Sequence, residues 1–184
     1  MSNQRIVAKI TLCGAYGVGK TSVRRRFMGE SFIQDHLSTL GADFSVNRVD
    51  LGGGTVIELQ IWDLAGQAGF ENLRQRFFKG TSAAIMVFDI TRPDTFQELD
   101  SWFEQLWRGQ ETKEMPIAII GNKVDLDEIN ISEDEVYKYI DDLKSRYNIQ
   151  NSEYSYFTTS AKTGVNIQEC FQTIAKSLYD ELKE

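Results

Sequence analysis

A glycine-rich segment near the start of the chain constrains its fold more than any other feature. Residues 14–21 have the sequence Gly-Ala-Tyr-Gly-Val-Gly-Lys-Thr, which matches the pattern G-x-x-x-x-G-K-[ST]. An apolar, β-branched run over residues 6–13 precedes this segment, and a helical pattern over residues 19–29 follows it. Because glycines let successive backbone N–H groups point at one anion, the strand–turn–helix unit predicts a cradle for the phosphates of a nucleotide.

Two side chains of this motif are expected to act on the phosphates. Lys20 can reach the β and γ phosphates, and the Thr21 hydroxyl can bind Mg²⁺. The alternative is a chance glycine turn before a helix, which the complete motif in this context disfavours. The predicted nucleotide-binding residues of the segment are Tyr16, Gly17, Val18, Gly19, Lys20, Thr21 and Ser22.

Strand-like and helix-like patterns alternate along the rest of the chain. Short, nearly continuous apolar runs predict strands buried on both faces of a parallel sheet, and the glycine-rich residues 51–54 predict a hairpin. We therefore predict an α/β fold, one domain over residues 1–184, with a six-stranded mostly parallel sheet, one antiparallel edge strand and helices on both faces. The predicted strands cover 6–13, 42–50, 56–63, 83–90, 116–121 and 156–159, and the predicted helices cover 19–29, 94–108, 132–147 and 166–182.

Two loops beyond the motif predict the choice of base. Ligands in such sheets bind at the carboxyl ends of the strands, and Asn122-Lys123-Val124-Asp125 follows a buried strand directly. The Asp125 carboxylate can accept from both N–H groups on one edge of guanine, which adenine does not offer. Asn122 can join loops, Lys123 can lie along the base, and Ser160-Ala161-Lys162 can offer backbone N–H groups. In isolation each string is equally compatible with a plain loop.

The segment after the third predicted strand suits a metal ion and a water molecule. Asp63 ends that strand beside the phosphate cradle, where a carboxylate commonly supports Mg²⁺ through water. Gly66 can offer its N–H to a γ phosphate, and Gln67 can orient an attacking water. Gln67 and Lys20 are therefore the predicted catalytic residues.

The bulk composition excludes several other classes of function. Lys and Arg total 20 against 27 Asp and Glu, a net charge of −7 that argues against nucleic acid as the main ligand. The two cysteines, Cys13 and Cys170, are expected in the core of a reduced protein. No apolar run approaches the roughly 20 residues needed to cross a bilayer. We expect a cytoplasmic monomer with no membrane anchor in this chain, and membrane association only if a lipidated tail is missing from it.

Taken together, these motifs resemble those of the Ras superfamily of small GTPases. Their order and rough spacing match over nearly the whole chain, and several connecting segments are most similar to the Rab branch. The segments that carry the Rab resemblance are Leu40-Gly41-Ala42-Asp43-Phe44, Gln60-Ile61-Trp62-Asp63, Phe77-Phe78-Lys79-Gly80 and Val87-Phe88-Asp89-Ile90-Thr91. The resemblance implies a switch that hydrolyses GTP to GDP with Mg²⁺, and membrane traffic is the setting that it suggests. It also implies effector, exchange-factor and GTPase-activating partners.

The same resemblance implies roles for two mobile segments. Thr39 would close over Mg²⁺ and the γ phosphate, making a first switch of about residues 32–44, and Phe32 would pack on the guanine edge. A second switch would cover about residues 64–78. Loss of the γ phosphate would release the contacts of Thr39 and Gly66 and relax both segments. Phe44, Trp62 and Phe77 would form an aromatic effector face, with ordinary core aromatics as the alternative.

Two departures from the family pattern carry hypotheses of their own. Tyr16 replaces a small residue, so its ring would crowd the γ phosphate and slow intrinsic turnover, unless it turns outward into solvent. An activating partner's arginine would then have an atypical effect. Ala68-Gly69 replaces a usual Glu-Arg pair, which puts standard partner recognition in doubt. Arg24-Arg25-Arg26 is expected to be a solvated face of the first helix, and His36 a switch-loop residue.

Two rival functions remain open from the sequence. A GTP-binding interaction module with little hydrolysis is favoured by Tyr16 and disfavoured by Gln67. A P-loop small-molecule kinase would need an acceptor pocket and an arginine-rich lid, for which the sequence shows no insertion.

Overall fold

A computed structural model describes residues 4–32, 39–67, 69, 71–110 and 114–183. Within these ranges the strands are β1 (Gln4–Cys13), β2 (Ala42–Gly52), β3 (Thr55–Leu64), β4 (Ala83–Asp89), β5 (Ile117–Asn122) and β6 (Tyr154–Thr159). The helices are α1 (Lys20–Phe27), α2 (Glu71–Phe78), α3 (Pro93–Gln97), α4 (Leu99–Gly109), α5 (Glu133–Tyr147) and α6 (Ile167–Glu181). In the part of the chain that is described, no helix is long and apolar enough to span a bilayer.

The six strands form one sheet in the order β2-β3-β1-β4-β5-β6. Only β2 runs antiparallel to its neighbour, because a tight turn joins it to β3, and the other pairs are parallel. Since β4 and β5 are buried along their whole length, their sequences are continuous apolar runs rather than alternating ones. The predicted α/β fold class is therefore confirmed.

Helices cover both faces of the sheet and divide the core in two. On one face, Val23 of α1 and Phe171 of α6 pack against alternate residues of the central strands. On the other face, Phe103 of α4 and Leu143 of α5 pack against the residues in between. The carboxyl ends of the parallel strands all lie at one edge, which is where the loops with the predicted site residues begin.

The predicted helices differ from the observed ones at two places. The single helix predicted over residues 94–108 is two consecutive helices, α3 and α4, and Pro93 begins the first, where its missing N–H costs nothing. A further helix, α2, forms within the segment predicted as the second switch.

The helix predicted from Ser132 starts with the expected capping box, in which the side chains of Ser132 and Glu135 each accept from the other's backbone N–H. Cys13 and Cys170 are buried, as expected.

The prediction that Arg24-Arg25-Arg26 is a solvated face was wrong for two of the three residues. Arg24 is 6% exposed, and its Nη2 donates to Asp43 Oδ2 over 2.6 Å. Arg26 donates to backbone carbonyls of the turn after β6, whereas the Arg25 side chain has, among the described residues, a single 3.7 Å ion-pair contact, to Glu30. The reason is that α1 packs between the start of β2 and this turn, and helical periodicity alone does not reveal polar neighbours.

Candidate nucleotide-binding site

The phosphate cradle lies between β1 and α1, as the motif predicts. Gly19, the residue before α1, has φ +101°, and a Cβ there would come within 2.4 Å of Asn122 Nδ2. Only glycine meets both conditions, because L side chains rarely adopt this φ and the space is already filled. The loop therefore approaches Asn122 closely and joins the two predicted parts of the site.

Lys20 is buried beneath the cradle and holds its ammonium group there. Its Nζ donates to Gly14 O over 2.7 Å and to Ala15 O over 2.8 Å. Burial lowers the pKa of Lys20 to about 8, and the charge of Asp63 opposes that shift. These two hydrogen bonds hold the Lys20 amine beside the loop backbone in one orientation.

Three side chains that the sequence assigned to the metal meet beside the cradle. Thr21 Oγ1 donates to Asp63 Oδ2 over 2.5 Å, and the Thr21 and Thr39 hydroxyl oxygens are 3.0 Å apart. Among the described residues, no hydrogen-bond partner reaches the buried Asp63 Oδ1. Burial raises the pKa of Asp63, and the Thr21 hydrogen bond and the charge of Lys20 oppose the shift. A buried carboxylate with an unused oxygen beside two hydroxyls is a donor set that suits Mg²⁺.

A cavity of about 310 Å³ lies beyond the cradle at the same sheet edge. Phe32, one of the residues that line it, is 38% exposed. The residues that line it are Gly19, Ser22, Phe32, Asn122, Lys123, Asp125, Leu126, Ala161 and Lys162. The structure therefore brings residues predicted for the base beside Gly19 and Ser22 of the cradle, and only Leu126 was not among the predicted nucleotide-binding residues. Ser160, which was predicted, does not line the cavity.

Asn122 connects three loops at the floor of this cavity. Its Nδ2 donates to Val18 O over 2.9 Å, and its Oδ1 accepts from Thr159 Oγ1 and from the Ala161 N–H. Asn122 is 2% exposed, so these bonds exchange little with water. The arrangement agrees with the predicted joining role.

The Asp125 carboxylate is oriented by the turn after β6. Ser160 Oγ donates to Asp125 Oδ1 over 2.6 Å, and Lys162 Nζ lies 3.7 Å from Asp125 Oδ2. Because one oxygen is held by a hydroxyl, the plane of the carboxylate is set relative to the cavity. Ser160 thus has a positioning role for Asp125 that its backbone position alone did not indicate.

Asp89, at the end of β4, is a site residue that the sequence analysis did not assign. Its Oδ2 lies 2.7 Å from Lys123 Nζ, and its Oδ1 accepts from the N–H and the hydroxyl of Thr91. Burial alone would raise the pKa of Asp89, but the hydrogen bonds from Lys123 and Thr91 outweigh it and hold the pKa below its usual value. The ion pair fixes the Lys123 stem along the cavity. A carboxylate at the end of a buried apolar strand was the available sequence indication.

Gly66 and Gln67 follow β3, and Gly66 lies beside the cradle. Gly66 lies against the backbone of Ala15 and Tyr16. Arg74 of α2 is buried and donates from Nη1 to Ala65 O and Gln67 O, each over 3.2 Å. Its guanidinium carbon lies 4.1 Å from the centre of the Trp102 ring. Arg74, which the sequence analysis missed, therefore holds the backbone of the predicted catalytic segment.

The three aromatics predicted to form an effector face contact one another, and Trp62 and Phe77 are partly buried against the core. The ring centres of Phe44 and Trp62 are 4.9 Å apart, and those of Trp62 and Phe77 are 5.4 Å apart. Phe44 is 46% exposed, so the cluster is not a closed core. Tyr16 is 49% exposed, which favours an outward ring over one that crowds the phosphates. His36, Ala68 and residues 33–38 of the first switch lie outside the described residues.

Comparisons with known proteins agree with this geometry. The model of the Ras family matches residues 9–180. Rab-7a of Paramecium octaurelia is 36% identical over 187 residues, which cover 100% of this chain and 86% of the relative. Rab7 of Drosophila melanogaster is 32% identical, with 95% of this chain and 81% of the relative covered. The Ypt/Rab-type GTPase ypt7 of Schizosaccharomyces pombe is 34% identical, with 91% and 80% covered.

These matches disfavour a small-molecule kinase. The Ras family model and the Rab relatives match this chain over nearly its whole length. The chain belongs to the Ras family and to its Rab branch, and it is a small GTPase that hydrolyses GTP and acts as a switch in membrane traffic.

Proposed function

We propose that this site binds GTP and GDP with Mg²⁺ through the residues that the structure brings to one sheet edge. The observation that supports the proposal most is that the cavity lined by Asp125 is also lined by Gly19 and Ser22. These two residues flank Lys20 and Thr21 in the cradle, and the Thr21 hydroxyl donates to Asp63. A positive cradle, an oxygen-rich cation site and a base pocket in series match the three parts of a magnesium nucleotide. We further propose that the protein acts in the cytoplasm as a monomer.

Asp125 selects guanine by accepting from two N–H groups on one edge of the base. Adenine offers no such pair of donors, so binding it would leave the carboxylate unpaired. The aliphatic stem of Lys123, fixed by Asp89, supports one face of the base, and Phe32 packs at its exposed edge. Ala161 and Lys162 border the pocket, and a backbone N–H group of this turn donates to the base oxygen.

Thr21 and Thr39 hold the cation directly, and Asp63 holds it through water. Mg²⁺, when bound, neutralises charge on the β and γ phosphates. The unpartnered Asp63 oxygen and the close pair of hydroxyls fit these ligand roles. Thr39 belongs to the first switch, so its contact depends on which nucleotide is present.

Hydrolysis is achieved by positioning and by charge. Gln67 orients a water whose oxygen attacks the γ phosphorus, and the bond from that phosphorus to the β–γ bridging oxygen breaks, releasing GDP and phosphate. Lys20 and the Gly66 N–H stabilise the negative charge that develops. When the γ phosphate is gone, the contacts of Thr39 and Gly66 are lost, and the effector face around Phe44 rearranges. Effector, exchange-factor and activating proteins are the partners that read this change.

Nucleotide content and phosphate release test the proposal together. Purified protein is incubated with GTP or ATP, with Mg²⁺ or with chelator, and bound nucleotide and free phosphate are quantified. We expect GTP to be held strongly over ATP and phosphate to appear slowly without an added acceptor. Equal retention of ATP would contradict the base assignment, and bound GTP without phosphate release would contradict the hydrolytic one.

Asp125→Ala, with Asp127→Ala as its control, tests the base contact itself. Asp127 is exposed and lies two residues further along the same loop. Losing two charge-assisted hydrogen bonds is expected to weaken GDP binding by about 100-fold or more, whereas the control stays within about three-fold. A preference for GTP over ATP that survives Asp125→Ala contradicts the role of this carboxylate.

A further inference from the structure

Arg26 connects the end of α1 to the turn after β6, which borders the base pocket. Its Nε donates to Ala161 O over 2.8 Å, and its Nη2 donates to Lys162 O. These contacts join residues more than 130 positions apart in the chain. Arg25, the preceding residue, makes no such contact and lies 3.7 Å from Glu30.

Two carbonyls held on one side determine where the next two N–H groups point. In a trans peptide the C=O of one residue and the N–H of the following residue point in opposite directions. With Ala161 O and Lys162 O directed at Arg26, the Lys162 and Thr163 N–H groups must therefore point away from it. No cis peptide bond is present among the described residues.

The opposite side of the turn is the base pocket. The Thr163 N–H reaches Ser160 Oγ over 3.0 Å, and that hydroxyl in turn donates to Asp125 Oδ1. The Ala161 N–H is bonded to Asn122 Oδ1. For the Lys162 N–H, no acceptor is found in the described part of the chain. The turn thus presents one unused donor beside Asp125, at a residue that lines the cavity.

We propose that Arg26 is a positioning residue for base recognition, which aims the Lys162 N–H at the 6-oxygen of guanine. This inference rests on the proposed function, because it concerns the same pocket. Asp125 accepts hydrogen bonds from the N–H groups of the base, and the turn held by Arg26 donates one to the neighbouring 6-oxygen. A guanidinium suits this task since its planar fork can engage two adjacent carbonyls at once.

The competing interpretation is that Arg26 only fastens α1 to the turn. A fastening role predicts a general loss of stability or of affinity when Arg26 is replaced. A positioning role predicts a loss confined to the contact with the base oxygen. Nucleotides altered at single atoms of the base separate these two outcomes.

The experiment compares three diphosphates on the full chain with Mg²⁺. GDP is the reference, 6-thio-GDP replaces the 6-oxygen by sulfur, a weaker acceptor, and IDP lacks the exocyclic amine that Asp125 would bind. Dissociation constants are measured for the parent protein, for Arg26→Met and for Arg25→Met as the matched control. Arg25 is the neighbour on the same helix and has no contact with the turn, so it reports the general effect of losing one positive charge.

We expect the parent to prefer GDP over both analogues. In Arg26→Met, the preference over 6-thio-GDP should fall by roughly three- to ten-fold, the value of one hydrogen bond, while the preference over IDP stays within about two-fold. Arg25→Met should leave both preferences unchanged. An unchanged preference over 6-thio-GDP in Arg26→Met, or an equal fall in both preferences, overturns the inference. A parent that prefers neither GDP over IDP nor GDP over 6-thio-GDP would instead overturn the proposed base contacts.

Discussion

Gly66 lies so close to the phosphate cradle that a single added methyl group tests how the second switch closes. A Cβ at Gly66 would lie 2.6 Å from both Ala15 C and Tyr16 N, and 2.7 Å from Ala15 O. These are backbone atoms, which do not give way as the end of a side chain would. In Gly66→Ala the segment must therefore retreat from the cradle by about 0.8 Å to reach ordinary contact distance.

This retreat removes the Gly66 N–H from hydrogen-bonding distance of a γ phosphate. A hydrogen bond to a charged group is worth about 1.5–3 kcal/mol, so binding of a GTP analogue that resists hydrolysis should weaken by about 10- to 100-fold. GDP lacks the γ phosphate, and its affinity should change by less than about three-fold. Displacement of a fluorescent GDP derivative by each nucleotide measures both constants on the same preparation.

The comparison of GDP with the GTP analogue serves as its own control. A loss shared equally by both nucleotides would mean that the methyl group distorts the cradle instead of displacing the switch. No loss for either nucleotide would mean that Gly66 does not approach the γ phosphate at all. Either result would refute the reasoning.

Two further predictions concern an ion pair beside the site and the outward ring of the cradle. Arg24 is buried, its Nη2 pairs with Asp43, and its Nε has no partner among the described residues. Asp43→Ala leaves the guanidinium unpaired and should lower the free energy of unfolding by about 2 kcal/mol. Arg24→Met removes the buried charge itself and should lower it by less than about 1 kcal/mol. Urea unfolding at saturating GDP and Mg²⁺ compares them, and the reverse order would contradict the argument. Tyr16 is half exposed, so Tyr16→Gly should change single-turnover GTP hydrolysis by less than about three-fold. A ten-fold gain would restore the hypothesis that the ring crowds the γ phosphate.

Local patterns were sufficient to predict most elements and the positions of the site loops. The apolar runs of β4 and β5, the capping box at Ser132 and the glycine turn between β2 and β3 each follow from short-range chemistry. Since the carboxyl ends of parallel strands meet at one edge, the order of strands and loops also predicts that the cradle and the base loop converge. The split between α3 and α4 and the presence of α2 were not predicted. Pro93 marks the start of α3, but no proline or glycine lies at the junction of α3 with α4 or directly before α2.

Local sequence patterns did not predict which residues the charged side chains contact. Arg24 and Arg26 look like ordinary solvated arginines on a helix, and no local pattern singles out Arg74. Each nevertheless bonds an atom of another segment of the chain. Asp89 and Lys123 likewise meet only because β4 and β5 are neighbours in the sheet. Motif spacing determines which backbone groups can hold a phosphate, since that depends on a few consecutive dihedral angles. The placement of these charges depends on how whole helices dock, and on α1 the buried Arg24 lies on the same face as the apolar Val23 and Phe27.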